Sequence, residues 1–186
     1  MGLLIYSMLV SVDGYVSRSD RSFDWADPDD ETLAFITERM HGVGTYLYGR
    51  RYYETMTNWA NLRTVPGLKP LDYEFSDLWN ATPKWVYTKT LAAANTDKTT
   101  LIRDFNPQAI RELKASSDKH VTVEGTQIAE LCFDAELIDG VSIYQVPIST
   151  GGGVPFMPAD AQIDLDLKDV HRFASGIVNL RYDVRY

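Results

Sequence analysis

Two predicted strand ends carry cations that suit a phosphate group. Tyr48-Gly49-Arg50-Arg51 reads as a strand, a glycine and the start of a helix with two arginines. The free N–H groups and the dipole of a helix N-terminus attract phosphate, and arginine adds charge-assisted hydrogen bonds. Thr88-Lys89-Thr90 ends the next strand with two hydroxyls and a cation, which suits the 2′-phosphate of NADP. A surface turn with solvated side chains is the alternative for each segment.

Two glycine-containing segments follow further strands. Glu124-Gly125-Thr126-Gln127 leads from a strand into a helix, where the glycine lets a ligand approach the backbone and Thr126 caps a pyrophosphate. The segment lacks the G-x-G-x-x-G pattern of dinucleotide-binding loops. Residues 149–153 end in three glycines, which remove side chains where a loop meets a ligand. An ordinary helix cap and a flexible connection are the alternatives.

Carboxylates and aromatic rings gather after the first predicted strand. Asp13 ends this strand, and Phe23, Asp24, Trp25, Asp27 and Asp30 come next. Such a set suits a flat nitrogen heterocycle, because rings stack on it and a carboxylate accepts its N–H groups or relays a proton. A plain turn at Asp13 and pairing of Asp30 with the dipole of the following helix are the alternatives.

Composition narrows the class of protein. The chain has 186 residues with a net charge of −8, which argues against nucleic-acid binding. Its one cysteine, Cys132, excludes an internal disulfide and a cysteine-based zinc site, and the three histidines show no metal-ligand spacing, so we predict no metal. We expect no signal peptide and no membrane segment, and a cytoplasmic protein.

Hydrophobic periodicity predicts the elements that position these residues. Strands alternate with helices over the first two thirds of the chain, which predicts a mostly parallel sheet. Apolar residues on both faces of residues 3–12 indicate a central strand. Asn106-Pro107 begins a helix, and Ile128, Leu131, Cys132 and Ala135 form the inner stripe of another. Period-2 patterns near residues 163–167 and 178–184 predict a closing antiparallel hairpin. We expect one α/β domain over residues 1–186.

The motifs, in this order, resemble the RibD C-terminal-domain family, which shares the dihydrofolate reductase fold. The opening SVDGYV at residues 11–16 with Phe23-Asp24-Trp25, and YGRRYYE at residues 48–54, carry most of the resemblance. Further segments similar to the family pattern are residues 84–91, 123–140, 147–156 and 173–182. The resemblance implies a three-layer sandwich with helices on both faces of a mostly parallel sheet. It covers nearly the whole chain.

The family implies a reductase in which NADPH delivers a hydride to a small nitrogen heterocycle, as in the reductase of riboflavin biosynthesis or with a pterin. The implied cofactor-binding residues are Gly49, Arg50, Arg51, Thr88, Lys89, Thr90, Gly125, Thr126, Gln127, Ile128, Gly151 and Gly152. We predict Asp13 or Asp30 as proton donor, and Tyr15, Trp25 and Asp27 as substrate contacts. A homodimer packed through the aromatic-rich C-terminal strands is also expected.

Two positions depart from the family pattern. Glu124 replaces the first of two paired glycines, and Tyr52 replaces a threonine. A carboxylate facing a pyrophosphate repels it, so these changes predict weaker NADPH binding unless Glu124 turns away. They leave two alternatives to a reductase. One is a nucleotide-binding module with little or no catalysis. The other is a true dihydrofolate reductase, which requires a deep carboxylate on the first helix.

With no P-C-x-x-C segment and a single cysteine, a zinc deaminase half is not expected.

Overall fold

The computed structural model describes residues 1–159 and 161–186, and an eight-stranded sheet runs through its middle. In chain order the strands are β1 (Leu4–Ser11), β2 (Tyr15–Ser17), β3 (Val43–Gly49), β4 (Lys84–Tyr87), β5 (Thr99–Ile102), β6 (His120–Glu124), β7 (Gly140–Val146), β8 (Val154–Pro155), β9 (Asp164–Arg172) and β10 (Val178–Arg185). The order in space is β5-β4-β3-β6-β1-β7-β10-β9. The first six of these are parallel, and only β10 and β9 complete the sheet with antiparallel pairing.

Within the described residues, five α-helices cover the two faces of this sheet. They are α1 (Asp30–Met40), α2 (Arg50–Met56), α3 (Pro70–Ala81), α4 (Pro107–Ala115) and α5 (Thr126–Asp134). Ile110 of α4 and Cys132 of α5 pack with one set of buried strand residues, whereas Leu33 of α1 and Trp79 of α3 pack with another. The predicted three-layer arrangement, with a mostly parallel sheet and helices on both faces, is therefore confirmed.

Alternation along β1 explains its central place. Leu4, Tyr6, Met8 and Val10 are at most 8% exposed and face α4 and α5. The residues between them are half-buried toward the opposite face. A strand enclosed on both sides needs this nearly continuous apolar run.

Local capping signals set the helix starts. Asn106 accepts hydrogen bonds from the N–H groups of Gln108 and Ala109 at 3.0 and 3.4 Å, and Pro107 takes the first helical position. The inner stripe predicted for α5 is correct at Ile128 and Cys132 but wrong at Leu131, which is 43% exposed. Cys132 is fully buried, and burial raises the pKa of its thiol to about 12.

The chain closes with the predicted hairpin. β10 pairs with β7 and β9, and a bulge between Arg181 and Tyr182 shifts the β9 register. A second, two-stranded sheet joins β2 to β8 beside the main one. Among the described residues, no helix is long and apolar enough to cross a bilayer.

Parallel register brings three strand ends to one edge. Tyr48 of β3 lies opposite Val86 of β4 and opposite Glu124 of β6. The segments that follow, at Gly49, Thr88 and Gly125, therefore leave the sheet side by side. Ligands of open α/β sheets bind at such carboxyl ends.

A glycine in the connection before β8 tests how the small sheet is held. Gly153 has a φ of +147°, and an added Cβ would lie 1.8 Å from the Ser17 carbonyl oxygen. We predict that Gly153→Ala lowers the free energy of unfolding, measured by denaturant titration, by more than the strain of its backbone conformation, about 1–3 kcal/mol.

Gly67→Ala is the matched control, because Gly67 also has a positive φ, +83°, but no atom lies within 4 Å of the added Cβ. It should cost about 1–2 kcal/mol. Equal losses for the two variants would show that β2 yields easily to the clash.

Candidate active site

A cleft of about 1390 Å³ opens at the carboxyl ends of β3, β4 and β6. Ten of the twelve predicted cofactor residues line it: Gly49, Arg50, Arg51, Thr88, Lys89, Thr90, Gly125, Thr126, Gln127 and Ile128. Residues far apart in sequence thus share one wall, which we call the basic rim. Their binding role stays a prediction.

Two glycines let the starts of α2 and α5 approach each other. Gly125 has a φ of +129°, and a Cβ there would lie 3.0 Å from the backbone nitrogen of Gly49 and 3.2 Å from its Cα. A side chain would force these turns apart. The contact leaves bare backbone on the cleft wall between Arg50 and Thr126.

The cations of the basic rim differ in how they are paired. Arg50 contacts Glu54 at 2.7 Å and Thr90 at 2.5 Å, and Lys89 forms an ion pair with Asp104. Arg51 has no carboxylate partner among the described residues, and the same holds for Arg103, whose guanidinium donates to the Thr88 carbonyl at 2.9 Å. Sequence reasoning missed Arg103. This residue follows β5, which pairs with β4, and Thr88 comes directly after β4.

The Thr88 hydroxyl shapes the rim instead of pointing freely into the cleft. It accepts hydrogen bonds from the N–H groups of Thr90 and Leu91 at 3.2 and 3.0 Å. This local turn holds Lys89 and Thr90 at the cleft mouth. Thr88 itself is 7% exposed.

The opposite wall of the cleft is apolar and aromatic. Leu33, Ile36 and Met40 of α1 line it, and Met56, Trp59 and Phe75 extend it. Phe23, Asp24 and Asp27 lie at its mouth. The wall offers flat and apolar surface for a ring, and α1 contributes no carboxylate to it. The acid that a true dihydrofolate reductase requires on the first helix is therefore missing from the lining.

Glu124 occupies the floor of the cleft. Val121 and Val123 point to the α4–α5 side, so alternation directs Glu124 to the opposite face, where it lines the cleft. Burial raises the pKa of its carboxyl to about 8, and the nearby Tyr52 hydroxyl lowers it in part. The two departures from the family pattern therefore lie against each other.

Four tyrosines surround this carboxyl. Tyr46, Tyr48, Tyr52 and Tyr144 all line the cleft, and the pKa of each is raised by burial and further by the charge of Glu124. We call Glu124 and these four residues the tyrosine floor. Only Glu124 and Tyr52 had been singled out from the sequence. The alternation of residues 121–124 is the signal that placed Glu124 on this side.

Asp13 has a different position from the one predicted. It does not line the cleft, and its carboxylate accepts from the Ser149 hydroxyl at 2.8 Å and from the N–H groups of Thr150 and Gly151 at 3.1 and 2.8 Å. These donors, together with Ser11, hold the pKa of Asp13 far below its usual range. A group kept ionised in this way is a poor proton donor, and it ties β1 to the glycine loop.

Asp30 also lies outside the cleft lining. Its carboxylate pairs with Lys69 at 2.6 and 2.7 Å on the exposed start of α1. The geometry therefore places neither predicted proton donor against the cavity, because each carboxylate already has partners elsewhere.

Of the remaining predicted residues, one lines the cleft and the others do not. Asp27 lines the cleft mouth, but Tyr15, Trp25, Gly151 and Gly152 do not line it. Tyr15 belongs to β2 and pairs with Pro155, which commits its backbone to the small sheet. The Trp25 indole nitrogen is buried without a hydrogen-bond partner in the part of the chain that the structure describes.

Comparison with known families gives one match that spans nearly the whole chain. The model of the RibD C-terminal domain matches residues 3–179. No curated protein matches the chain in sequence.

Solved structures with low sequence identity share the fold. A protein from Shewanella sp. PV-4, named for riboflavin biosynthesis, is 19% identical with a TM-score of 0.74, and the match covers 99% of both chains. The diaminohydroxyphosphoribosylaminopyrimidine deaminase/5-amino-6-(5-phosphoribosylamino)uracil reductase of Thermotoga maritima is 14% identical, with a TM-score of 0.67 over 99% of this chain and 57% of that one. A dihydrofolate reductase from Enterococcus faecalis complexed with NADP(H) and RAB-propyl is 11% identical, with a TM-score of 0.64 over 100% and 98%. The resemblance to the dihydrofolate reductase fold is confirmed.

The Asp13 contacts predict a pH-dependent contribution to stability. Because the folded pKa is lowered, this contribution is present above the unfolded pKa of about 3.9 and is lost as the pH falls below it. Asp13→Asn should lower the free energy of unfolding at neutral pH, and its difference from the unchanged protein should shrink in acid. Denaturant titrations across this range measure both.

Hydrogen exchange at the amides of Thr150 and Gly151 provides the local measurement, since both N–H groups lose a charged acceptor. Asp164→Asn removes an exposed carboxylate from β9 and is the control. A constant difference between Asp13→Asn and the unchanged protein down to acid pH would contradict the role of the charge.

Proposed function

The chain belongs to the RibD C-terminal domain family, and from that premise we propose an NADPH-dependent reductase of a small nitrogen heterocycle. The observation that supports it most is the division of one cleft into a basic rim and an apolar, aromatic wall. The rim suits the phosphates of a dinucleotide, and the wall suits a flat ring. A cytoplasmic location is part of the same proposal.

The residues of the basic rim fit a phosphorylated nicotinamide cofactor. The bare backbone between Gly49 and Gly125 lets a pyrophosphate approach the N–H groups at the start of α5. Arg51 and Arg103 are free of carboxylates among the described residues and so are available to phosphate. When bound, the cofactor supplies the hydride, and the protein supplies alignment and charge.

The pairing of the rim cations determines which of them contribute most to the affinity for a phosphate group. Glu54 and Asp104 already neutralise Arg50 and Lys89. In a chain with a net charge of −8, a polyanion approaches only where cations lack such partners. Arg51 and Arg103 therefore contribute most to cofactor affinity, and Lys89 must exchange Asp104 for a phosphate.

The aromatic half of the cleft determines the class of substrate. Leu33, Met40 and Met56 flank the tyrosine floor and exclude water from a ring placed between them. The named activity of the Thermotoga maritima relative, reduction of an aminouracil, is of this class. We therefore favour an amino-substituted pyrimidine or pterin as the substrate. Glu124 and Tyr52 turn toward each other, which relieves the repulsion that motivated the non-catalytic alternative.

Substitution of the unpaired arginines tests the cofactor site. We predict that Arg51→Gln and Arg103→Gln each weaken NADPH binding about tenfold, because each removes a charge-assisted contact to phosphate. Arg111→Gln, on α4 and outside the cleft, should leave the affinity unchanged. Titration of NADPH with fluorescence or calorimetric detection measures these constants.

The same titrations with NADH test the predicted 2′-phosphate site. Lys89→Gln should weaken NADPH binding and leave NADH binding nearly unchanged. Absence of NADPH binding to the unchanged protein at millimolar cofactor would refute the proposed function. Equal weakening by all the arginine variants, Arg111→Gln included, would mean that general charge and not the rim attracts the cofactor.

We also propose a homodimer built on the C-terminal hairpin. β9 is an outer strand of the sheet, and Leu167 and Val170 on it are 55% and 53% exposed. An exposed apolar edge strand suits a two-fold interface. Sedimentation should give twice the mass of one chain, and Leu167→Lys with Val170→Lys should give a monomer. A monomeric unchanged protein would contradict the dimer.

A further inference from the structure

We propose that Glu124 binds the substrate ring directly, as a protonated carboxyl that donates to a ring nitrogen and accepts from a neighbouring amino group. The inference rests on the reductase proposed above and specifies its ligand further. The class is an amino-substituted nitrogen heterocycle with a ring acceptor next to an N–H donor. The inference also moves the acid of the site from Asp13 and Asp30 to the cleft floor.

The position of Glu124 comes from the sheet itself. It ends β6 opposite Tyr48, one residue before the Gly125 turn that borders the basic rim. Its side chain is therefore held between the rim and the apolar wall of α1. A ring held against the apolar wall would therefore have Glu124 at the edge that borders the basic rim.

The surroundings of the carboxyl contain aromatic rings and no cation. Tyr46 and Tyr48 stack with centroids 5.3 Å apart, and Tyr52 lies 5.6 Å from Tyr48. Among the described residues, no lysine, arginine or histidine forms an ion pair with Glu124. A carboxylate in such a place lacks the partner that a buried charge needs, so the neutral form is favoured.

Among the described residues, a hydroxyl of the tyrosine floor lacks a hydrogen-bond partner. Tyr46 is 3% exposed and lines the cleft, yet its hydroxyl has no hydrogen-bond partner within the described residues. Buried polar groups are nearly always satisfied, and a ligand edge would satisfy this one. By contrast, the Tyr48 hydroxyl already accepts from the Trp79 indole at 3.0 Å.

Burial favours the protonated form of Glu124, and the Tyr52 hydroxyl opposes it in part. The titratable groups that face the carboxyl are tyrosines. They are Tyr46 and Tyr48 from β3, Tyr52 from α2 and Tyr144 from β7, while Arg39 of α1 acts on Tyr144. With the pKa raised to about 8, the carboxyl carries its proton below that pH and loses it above. One oxygen then donates and the other accepts.

This pattern of one donor and one acceptor identifies the matching ligand edge. A neutral carboxyl and a carboxamide both pair with an amino group next to a ring nitrogen, as glutamine does with adenine. An ionised carboxylate only accepts, and it would instead require two N–H donors or a cation. Glu124→Gln therefore mimics the proposed state, and Glu124→Met removes it.

The test titrates the full chain with 2-aminopyrimidine as the probe. Binding is monitored through the NMR signal of the Gly125 amide. The unchanged protein should bind the probe below pH 8 and lose affinity as the pH rises through Glu124 ionisation. Glu124→Gln should bind at every pH without that loss. Glu124→Met should weaken binding about tenfold, because both hydrogen bonds disappear. Glu130→Gln, an exposed position of α5, should behave as the unchanged protein.

A second variant keeps the test decisive if the Glu124 variants fail to fold. Tyr46→Phe removes the unpartnered hydroxyl and should weaken probe binding without lowering the melting temperature, since no existing hydrogen bond is lost. A purely structural role would move the melting temperature and not the probe affinity.

Three results would overturn the assignment. In the first, Glu124→Met binds 2-aminopyrimidine as tightly as the unchanged protein does. In the second, Glu124→Gln no longer binds it. In the third, the unchanged protein binds NADPH but not 2-aminopyrimidine. NADPH titration of each variant separates this failure from failure of the reductase itself. If the unchanged protein binds 2-aminopyrimidine as described but no NADPH, the reductase is refuted and the Glu124 pairing stands as a binding site.

Discussion

The register of three parallel strands is the constraint on which the site depends. Tyr48 of β3 lies opposite both Val86 of β4 and Glu124 of β6, so three strand-to-loop transitions end at one level. The ladder hydrogen bonds hold this level, and the buried side chains of one face, such as Val121 and Val123, fix the register. The glycine pair at positions 49 and 125 then brings two helix starts into backbone contact. A shift of one residue in the pairing of β6 with β3 would turn Glu124 into the α4–α5 core, and a shift in the pairing of β4 with β3 would move Lys89 relative to the Gly49 turn.

The charges in the cleft differ between the exposed basic rim and the buried tyrosine floor. In the basic rim, Arg50 pairs with Glu54 of its own helix and Lys89 pairs with Asp104, which follows β5, while water screens the unpaired arginines. On the floor, rings replace water, and the single carboxyl there responds by holding its proton. In the proposed function, a polyanion meets the cations of the basic rim and a ring meets the neutral carboxyl of the tyrosine floor.

Packing also explains why the predicted acids are elsewhere. Asp13 follows β1 directly, but the adjacent loop at residues 149–151 supplies three donors that take its carboxylate. Asp30 begins α1, where the dipole favours negative charge and Lys69 is within reach. Both carboxylates anchor segments that lie outside the cleft lining. Glu124, at the end of an interior strand, has no cation partner among the described residues.

Local patterns in the sequence were enough to predict the alternation of strands and helices, the closing hairpin and the cations at the strand ends, whereas the three-layer arrangement was predicted from the family resemblance. Apolar alternation in β1, the Asn106 cap and the glycines after β3 and β6 each act within a few residues. The choice among Asp13, Asp30 and Glu124 required the tertiary structure. The state of a carboxyl depends on which donors, cations or rings from distant segments lie against it, and neither the contact between Tyr52 and Glu124 nor the ion pair of Asp30 is encoded in nearby residues. For the same reason Arg103 joined the rim only once β5 was placed beside β4.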